Sequence, residues 1–413
     1  MKRQPREITT LAYSAKPLDL QKIYSMRLVE VNTPSLIDAF HQLPFSIYKN
    51  DPHWVSHLRQ DIEKIFDPAK NKLYAEGAEA VRWLLYNENN QAIARIAVFI
   101  NPKVVSTTRF KTGGIGFFEC IDDQQAAHFL FDKAVEWLKA RGMEAMDGPI
   151  NFGDRDRFWG CQTSNWDEPP IYPMNYNPPY YQRFFESYGF GVYFEQFMYW
   201  RSLSEKAQPI FHRKYNALKD DKDFDLRNIK GMKISDVAEE FRKVYNGAWG
   251  GHSHFKEMSH SAAQKIFNAM KPVIDRDLVI FAYYKGEPIG FYISLPELNQ
   301  IFRHVNGNLN FIGKLKFLYH KLRKTPSRMT GIVFGVVREW QGKGVEAALI
   351  VFGEKTIIPA GIYKDTVLTW IGDFNPKMIK VAENLGTTKW RTLCTFRYQF
   401  DRNEPFERCP IVE

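Results

Sequence analysis

Val336-Val337-Arg338-Glu339-Trp340-Gln341-Gly342-Lys343-Gly344-Val345-Glu346-Ala347 joins a β-prone run, Gly331–Val337, to a helix-prone one, Glu346–Ile357. The two glycines let successive backbone N–H groups turn toward one point, and the start of the following helix adds a dipole that favours an anion. Lys343 adds a full positive charge. A turn of this kind can cradle a pyrophosphate; the plainer alternative is a strand-to-helix connection whose glycines serve geometry alone. Glu346 runs against the first reading, because an inward-facing carboxylate would stand near the phosphates.

Outward from this turn, the periodicity predicts a strand over Thr366–Ile371, a helix over Pro376–Leu385 and strands within Lys389–Phe400. Upstream it predicts helices over Ile234–Tyr245 and Ser259–Met270, then a hairpin of Leu278–Tyr284 and Ile289–Leu295 closed by Lys285-Gly286-Glu287-Pro288. The first half carries the same order. Ala80–Tyr86 and Ala92–Ile100 form a hairpin, and Ile93 stands 196 residues before Ile289. Phe185-Glu186-Ser187-Tyr188-Gly189 echoes Ala382-Glu383-Asn384-Leu385-Gly386, each a helix end stopped by glycine, and the two glycines are offset by 197. The units Gly114–Arg141 and Gly331–Pro359 are displaced by about 218, so each half needs an extra loop in a different place: Asn151–Pro179 and Gln300–Arg328. The layout predicted is a disordered extension 1–25, a first unit 26–201, a linker 202–227, a second unit 228–403 and a tail 404–413.

A chain of 413 residues that is 44% hydrophobic, 25% charged and 15% aromatic has the composition of a folded protein and excludes a disordered one. Its apolar runs are too short to cross a bilayer. Cys120, Cys161, Cys394 and Cys409 show no metal-type spacing, so a reduced, cytoplasmic, metal-free protein is expected. The net charge is +9, and its placement is uneven: no acidic residue lies between Glu297 and Glu339. Inside that window, Phe311, Leu315, Leu318 and Leu322 repeat at helical spacing among Lys314, Lys316, Lys321, Arg323 and Lys324. Segment 311–324 therefore reads as a basic amphipathic helix. It either packs its apolar stripe on the domain or touches an anionic membrane surface or cofactor phosphates. Basic and aromatic residues are interleaved, but no nucleic-acid-binding module is recognisable, and no specific nucleic acid is expected.

The turn and its surroundings resemble the GNAT acyltransferase superfamily, whose coenzyme A loop reads Gln/Arg-x-x-Gly-x-Gly/Ala between a strand and a helix. Gln341, Gly342, Lys343 and Gly344 match its start, while Glu346 departs from its end. The first half looks like the same fold without the loop: Gly116-Phe117-Phe118-Glu119-Cys120 runs into Ile121-Asp122-Asp123-Gln124, whose aspartates would repel a pyrophosphate. The resemblance thus implies a mixed α/β (α+β) protein of two tandem GNAT-like domains, each a twisted, mostly antiparallel sheet flanked by helices. Further echoes, Tyr48-Lys49-Asn50-Asp51-Pro52-His53-Trp54-Val55, Gly148-Pro149-Ile150-Asn151-Phe152, Asn177-Pro178-Pro179-Tyr180-Tyr181 and Tyr245-Asn246-Gly247-Ala248-Trp249, are similar to a family of bacterial tandem-GNAT proteins that includes ceramide synthase-like members.

That resemblance implies direct transfer of an acyl group, from acetyl-CoA or a longer acyl-CoA, to a small-molecule or lipid amine. Val336, Val337, Gln341, Gly342, Lys343, Gly344 and Val345 would hold the cofactor, with Asn375 against its arm, and a backbone N–H of Val336 or Val337 would stabilise the oxyanion. The amine must lose a proton, and Asp373 is the nearest carboxylate by topology. His252, His254 and His260 lie in a connection that covers the acceptor in similar folds, and His252 is the candidate taken forward. His252-Ser253-His254 lacks a third ligand for a metal. Ala382 stands where many family members place a tyrosine acid, and with Glu346 it leaves open a non-catalytic ligand-binding or scaffold protein. The loop Asn151–Pro179, with Trp159 and Trp166, either closes over an acceptor cleft between the halves or packs on itself.

Overall fold

The computed structural model describes residues 26–105, 109–250 and 257–411; the expected N-terminal extension, His252 and His254 lie outside the described residues. The strands are β1 (Arg27–Glu30), β2 (Glu79–Tyr86), β3 (Ala92–Ile100), β4 (Thr112–Cys120), β5 (Ala145–Gly148), β6 (Cys161–Gln162), β7 (Gly191–Ser202), β8 (Phe224–Asn228), β9 (Val279–Tyr284), β10 (Glu287–Pro296), β11 (Arg328–Val336), β12 (Asp365–Gly372) and β13 (Thr388–Gln399). They form one sheet in the order β1-β2-β3-β4-β5-β13-β7-β12-β11-β10-β9-β8, with β6 paired to β13. Pairing is antiparallel except for β4 with β5 and β11 with β12.

The two halves are related as the duplication predicts. Each has a hairpin (β2–β3, β9–β10), a fourth strand (β4, β11) leading to a long helix (Gln124–Lys139, Val345–Ile357), and a parallel strand (β5, β12). Each then has a short helix (Tyr180–Tyr188, Pro376–Asn384) closed by a left-handed glycine, Gly189 at φ 105° and Gly386 at φ 73°, and a long last strand. Those φ values are ones that only glycine adopts without strain.

The last strands are exchanged. β7, from the first half, pairs with β12 of the second, and β13, from the second half, pairs with β5 of the first. The cores follow: Phe396 of β13 stacks on Phe185, with ring centroids 5.1 Å apart, among Phe118, Leu130 and Phe131. Reciprocally, Phe197 and Tyr199 of β7 pack with Ile371 and Ala382. Arg397 of β13 forks onto Asp147 of β5 at 2.7 and 2.8 Å, both buried. The sheets of the two halves are thus joined into one, because the strand that ends each repeat finds its buried place in the other.

The first-half insertion Asn151–Pro179 is tied down over this centre. Trp159 is buried and donates to Thr395 Oγ1 at 2.8 Å, and the fully buried Arg391 donates to the carbonyls of Asn165, Glu168 and Pro169. Within the linker range, Pro209–Leu218 is a helix that packs along Val345–Ile357. Among the described residues no helix is long and apolar enough to cross a membrane.

Candidate active site

β11 carries a bulge. Its register on β10 steps from Val333 opposite Ile293 to Gly331 opposite Ser294, so Ile332 is the extra residue. The parallel ladder with β12 ends at the same place, at Gly331 opposite Leu368, although both strands continue. Beyond it the strands part, and Ile332, on an interior strand, is 48% exposed. The glycine turn lies at the end of the strand that borders this opening.

The fourth strand of the first half is also bulged, but further along, past the end of its parallel ladder at Gly114, and it has no opening. Ala97 faces Gly116 and Arg95 faces Glu119, which leaves Phe117 at φ 50° as part of the bulge. Here the chain after β5 fills the gap: Ile150 N–H donates to Ile115 O at 2.8 Å, and a Cβ on Gly116 would lie 1.8 Å from Ile150 O. Ile150 thus lies directly against the bulged part of β4.

At the opening of the second half, Val337 N–H donates to Ile289 O at 2.9 Å, so its donor belongs to the sheet. Backbone donors alternate sides along an antiparallel ladder, which turns Val336 N–H toward the β12 side. Of the two backbone donors expected at the site, that of Val337 is used within the sheet. Gln341 Nε2 holds Val336 O at 2.9 Å, linking the turn to the strand end. Gly342 and Gly344 are left-handed, at φ 75° and 96°, and Gly344 caps the Val345–Ile357 helix. Lys343 Nζ lies over the Trp340 ring. Glu346 reaches back so that its Oε1 accepts from Gly342 N–H at 3.2 Å, occupying a donor that a phosphate oxygen would use.

The remaining expected residues are otherwise engaged. Asp373 is held by Arg408 of the C-terminal tail, which leaves its carboxylate ion-paired rather than free as a base. Asn375 Oδ1 caps the Pro376–Asn384 helix by accepting from Met378 N–H at 3.1 Å. His260 pairs with Glu239 at 2.8 Å on an exposed surface. Ala382 is buried under β7, where Phe197 and Tyr199 take the room a tyrosine would need. A small, partly open apolar pocket, lined by Tyr292, Met329, Ile350, Ile357, Leu368 and Leu385, lies between the Val345–Ile357 helix and the sheet.

Three of the quoted motifs, whose roles the sequence left unassigned, converge on a second place. Glu119, at the end of β4, accepts from Tyr48 Oη at 2.7 Å and Tyr181 Oη at 2.8 Å, and Arg95 Nη2 lies 3.5 Å from its other oxygen. Burial raises the Glu119 carboxyl above its ordinary range against the pull of Arg95, and burial with Arg95 lowers His57 to about 3, keeping the imidazole neutral. Arg95, Glu119 and His57 line a small pocket that Asn306 and Asn308 of the second-half insertion also line. A carboxyl and an imidazole with shifted affinities for a proton in one pocket make a candidate site. The signal in the sequence was a lone glutamate following Phe117-Phe118 on an otherwise apolar strand.

Among solved structures, a tandem GNAT protein from the clavulanic acid biosynthesis pathway superposes with a TM-score of 0.51, over 92% of this chain and 100% of that one, at 11% identity. The fold is a tandem GNAT fold. A GCN5-related glucosamine N-acetyltransferase region in a fungal multi-domain β-N-acetylglucosaminidase gives a TM-score of 0.50 at 12% identity, over 90% of this chain and 38% of that one. No protein-family model matches the chain. In sequence, this chain is 24% identical to a bacterial ceramide synthase of Caulobacter vibrioides over 372 residues, 89% of this chain and 96% of the relative. It is 23% identical to Protein YghO of Escherichia coli over 86% of this chain and 90% of that one.

Proposed function

We propose that the protein is an acyl-CoA-dependent N-acyltransferase whose second half binds the thioester and passes its acyl group, of long-chain type, to an amine. The observation that carries this reading is the contrast between the halves: a bulged fourth strand is open beside a glycine turn in one and plugged by Ile150 in the other. With the cofactor bound, the amides of the turn and the helix start would face its pyrophosphate, and Lys343 would add charge. Its thioester carbonyl would meet Val336 N–H, which stabilises the tetrahedral oxyanion as the amine nitrogen bonds to carbon and the C–S bond breaks. The amine nitrogen gives a proton to water, and the departing thiolate takes one back, so that amide and free thiol result. The apolar lining of the pocket beside the same helix suits an acyl chain, in keeping with the ceramide synthase relative.

Incubating the protein with palmitoyl-CoA or acetyl-CoA and a panel of long-chain amino alcohols and short amines tests this. The expected result is free CoA thiol and the matching amide by mass spectrometry, greatest with palmitoyl-CoA and a lipid amine. Intact thioester with every amine would support the alternative, a ligand-binding protein that has lost transfer. Glu346 on Gly342, the ion-paired Asp373 and the buried Ala382 favour that second reading.

A further inference from the structure

Fourteen large hydrophobic side chains are exposed among the described residues, and six of them sit on one helix, Phe311–Leu322. At the helical turn of about 100° per residue, Phe311, Ile312, Leu315, Leu318, Tyr319 and Leu322 fall within an arc of about 120°. Phe311 and Leu322, at its two ends, are 76% and 74% exposed. The opposite side of the helix is the one the protein holds. Gly313 is buried where a Cβ would strike Asn308 O, Phe317 stacks on Phe302, and His320 stacks on His304. Lys321 donates to Pro272 O, fixing the rotation of the helix about its axis. The apolar stripe that the sequence could have packed on the domain therefore faces outward.

The cations are arranged around that stripe. Lys314 and Lys321 border it on one side and Lys316 and Arg323 on the other, with Lys324 just beyond, and no carboxylate occurs from residue 298 to 338. An apolar strip between two rows of basic side chains matches the boundary of an anionic bilayer, where acyl chains take the strip and phosphates take the rows. A protein partner would need an equally long apolar ridge walled by acid on both sides.

We propose that the Phe311–Leu322 helix docks the protein on the surface of an anionic lipid bilayer. The same insertion lines the pocket around Glu119 through Asn306 and Asn308, and Arg59 N–H donates to Gly307 O at 2.8 Å, so the segment that leads into the helix is anchored on the first half. This inference does not depend on acyl transfer.

Co-sedimentation of the full-length protein with vesicles of phosphatidylcholine, or of equal parts phosphatidylcholine and phosphatidylglycerol, tests it. Binding is expected to the anionic vesicles only, and to weaken as salt is raised. Lys314→Gln with Lys316→Gln should weaken it about fivefold for each lysine. Leu315→Ser with Leu318→Ser should weaken it at least about tenfold, with an unchanged melting temperature because both side chains face solvent. Wild-type binding by both double variants would overturn the proposal. So would a wild-type dimer, seen by ultracentrifugation without lipid, that the leucine variant dissociates, since the stripe would then meet a second copy.

Discussion

Glu297 shows what a single residue can do at the junction of the halves. It is buried, its Oε1 accepts from Tyr172 N–H at 3.0 Å and Asn299 N–H at 2.7 Å, and its Oε2 accepts from Thr330 Oγ1 at 3.0 Å. Loss of water outweighs these donors and moves the carboxyl up to about 7. The folded state then holds the proton more tightly than the unfolded chain. Its contribution to stability is full below the ordinary glutamate pKa, falls as pH rises to about 7, and is flat above. Glu297→Gln keeps the shape and removes the titration. Urea midpoints followed from about pH 5 to about pH 8 should show the variant gaining on the wild type by roughly 2–3 kcal/mol; parallel curves would contradict the assignment. None of this was legible in the sequence, where Glu297 marks only the edge of an acid-free window. The same holds at the expected site. Gln341, Gly342 and Gly344 announced their turn by type and spacing, but Val337, Asp373 and Asn375 were placed by topology, and their partners come from distant segments that spacing does not reveal.

Elements were more legible than their partners. The strands and helices of the second half fall within a few residues of the periodicity, and the hairpins, glycine stops and duplication all recur in space. What periodicity cannot say is which edge a strand joins, because β7 and β13 carry similar apolar patterns and either could lie beside β5. The exchange has a measurable consequence. Phe396→Ala lies in the second half by sequence but removes a ring from the first-half core, at an expected cost of about 3–5 kcal/mol. Hydrogen-exchange mass spectrometry should show protection lost in Gln124–Lys139 and Tyr180–Tyr188 before Ile234–Trp249. Faster exchange confined to the second half would mean that β13 does not belong to the first. The helix Phe311–Leu322 is an intermediate case: its basic amphipathic pattern was clear, yet the direction of its stripe depended on Gly313 and Phe317, which hold its other side.

For the whole molecule, duplication has produced two halves with different tasks. One keeps an open bulged strand and a glycine turn; the other fills its opening and builds a pocket around Glu119 that an insertion from its neighbour also lines. The excess positive charge of the chain is concentrated on that insertion, beside its outward apolar stripe. A thioester site in the second half is the claim on which the enzymatic account rests. Calorimetric titration with acetyl-CoA and palmitoyl-CoA, below the micelle concentration and beside Gly344→Glu, tests it most directly. Gly344 is left-handed, and Leu218 and Lys214 stand 3.4 Å from any added Cβ, so the substitution distorts the turn and adds a charge that repels phosphate. The account predicts saturable binding to the wild type, tighter for palmitoyl-CoA and lost in the variant. Equal binding by wild type and variant, or none by either, would contradict it.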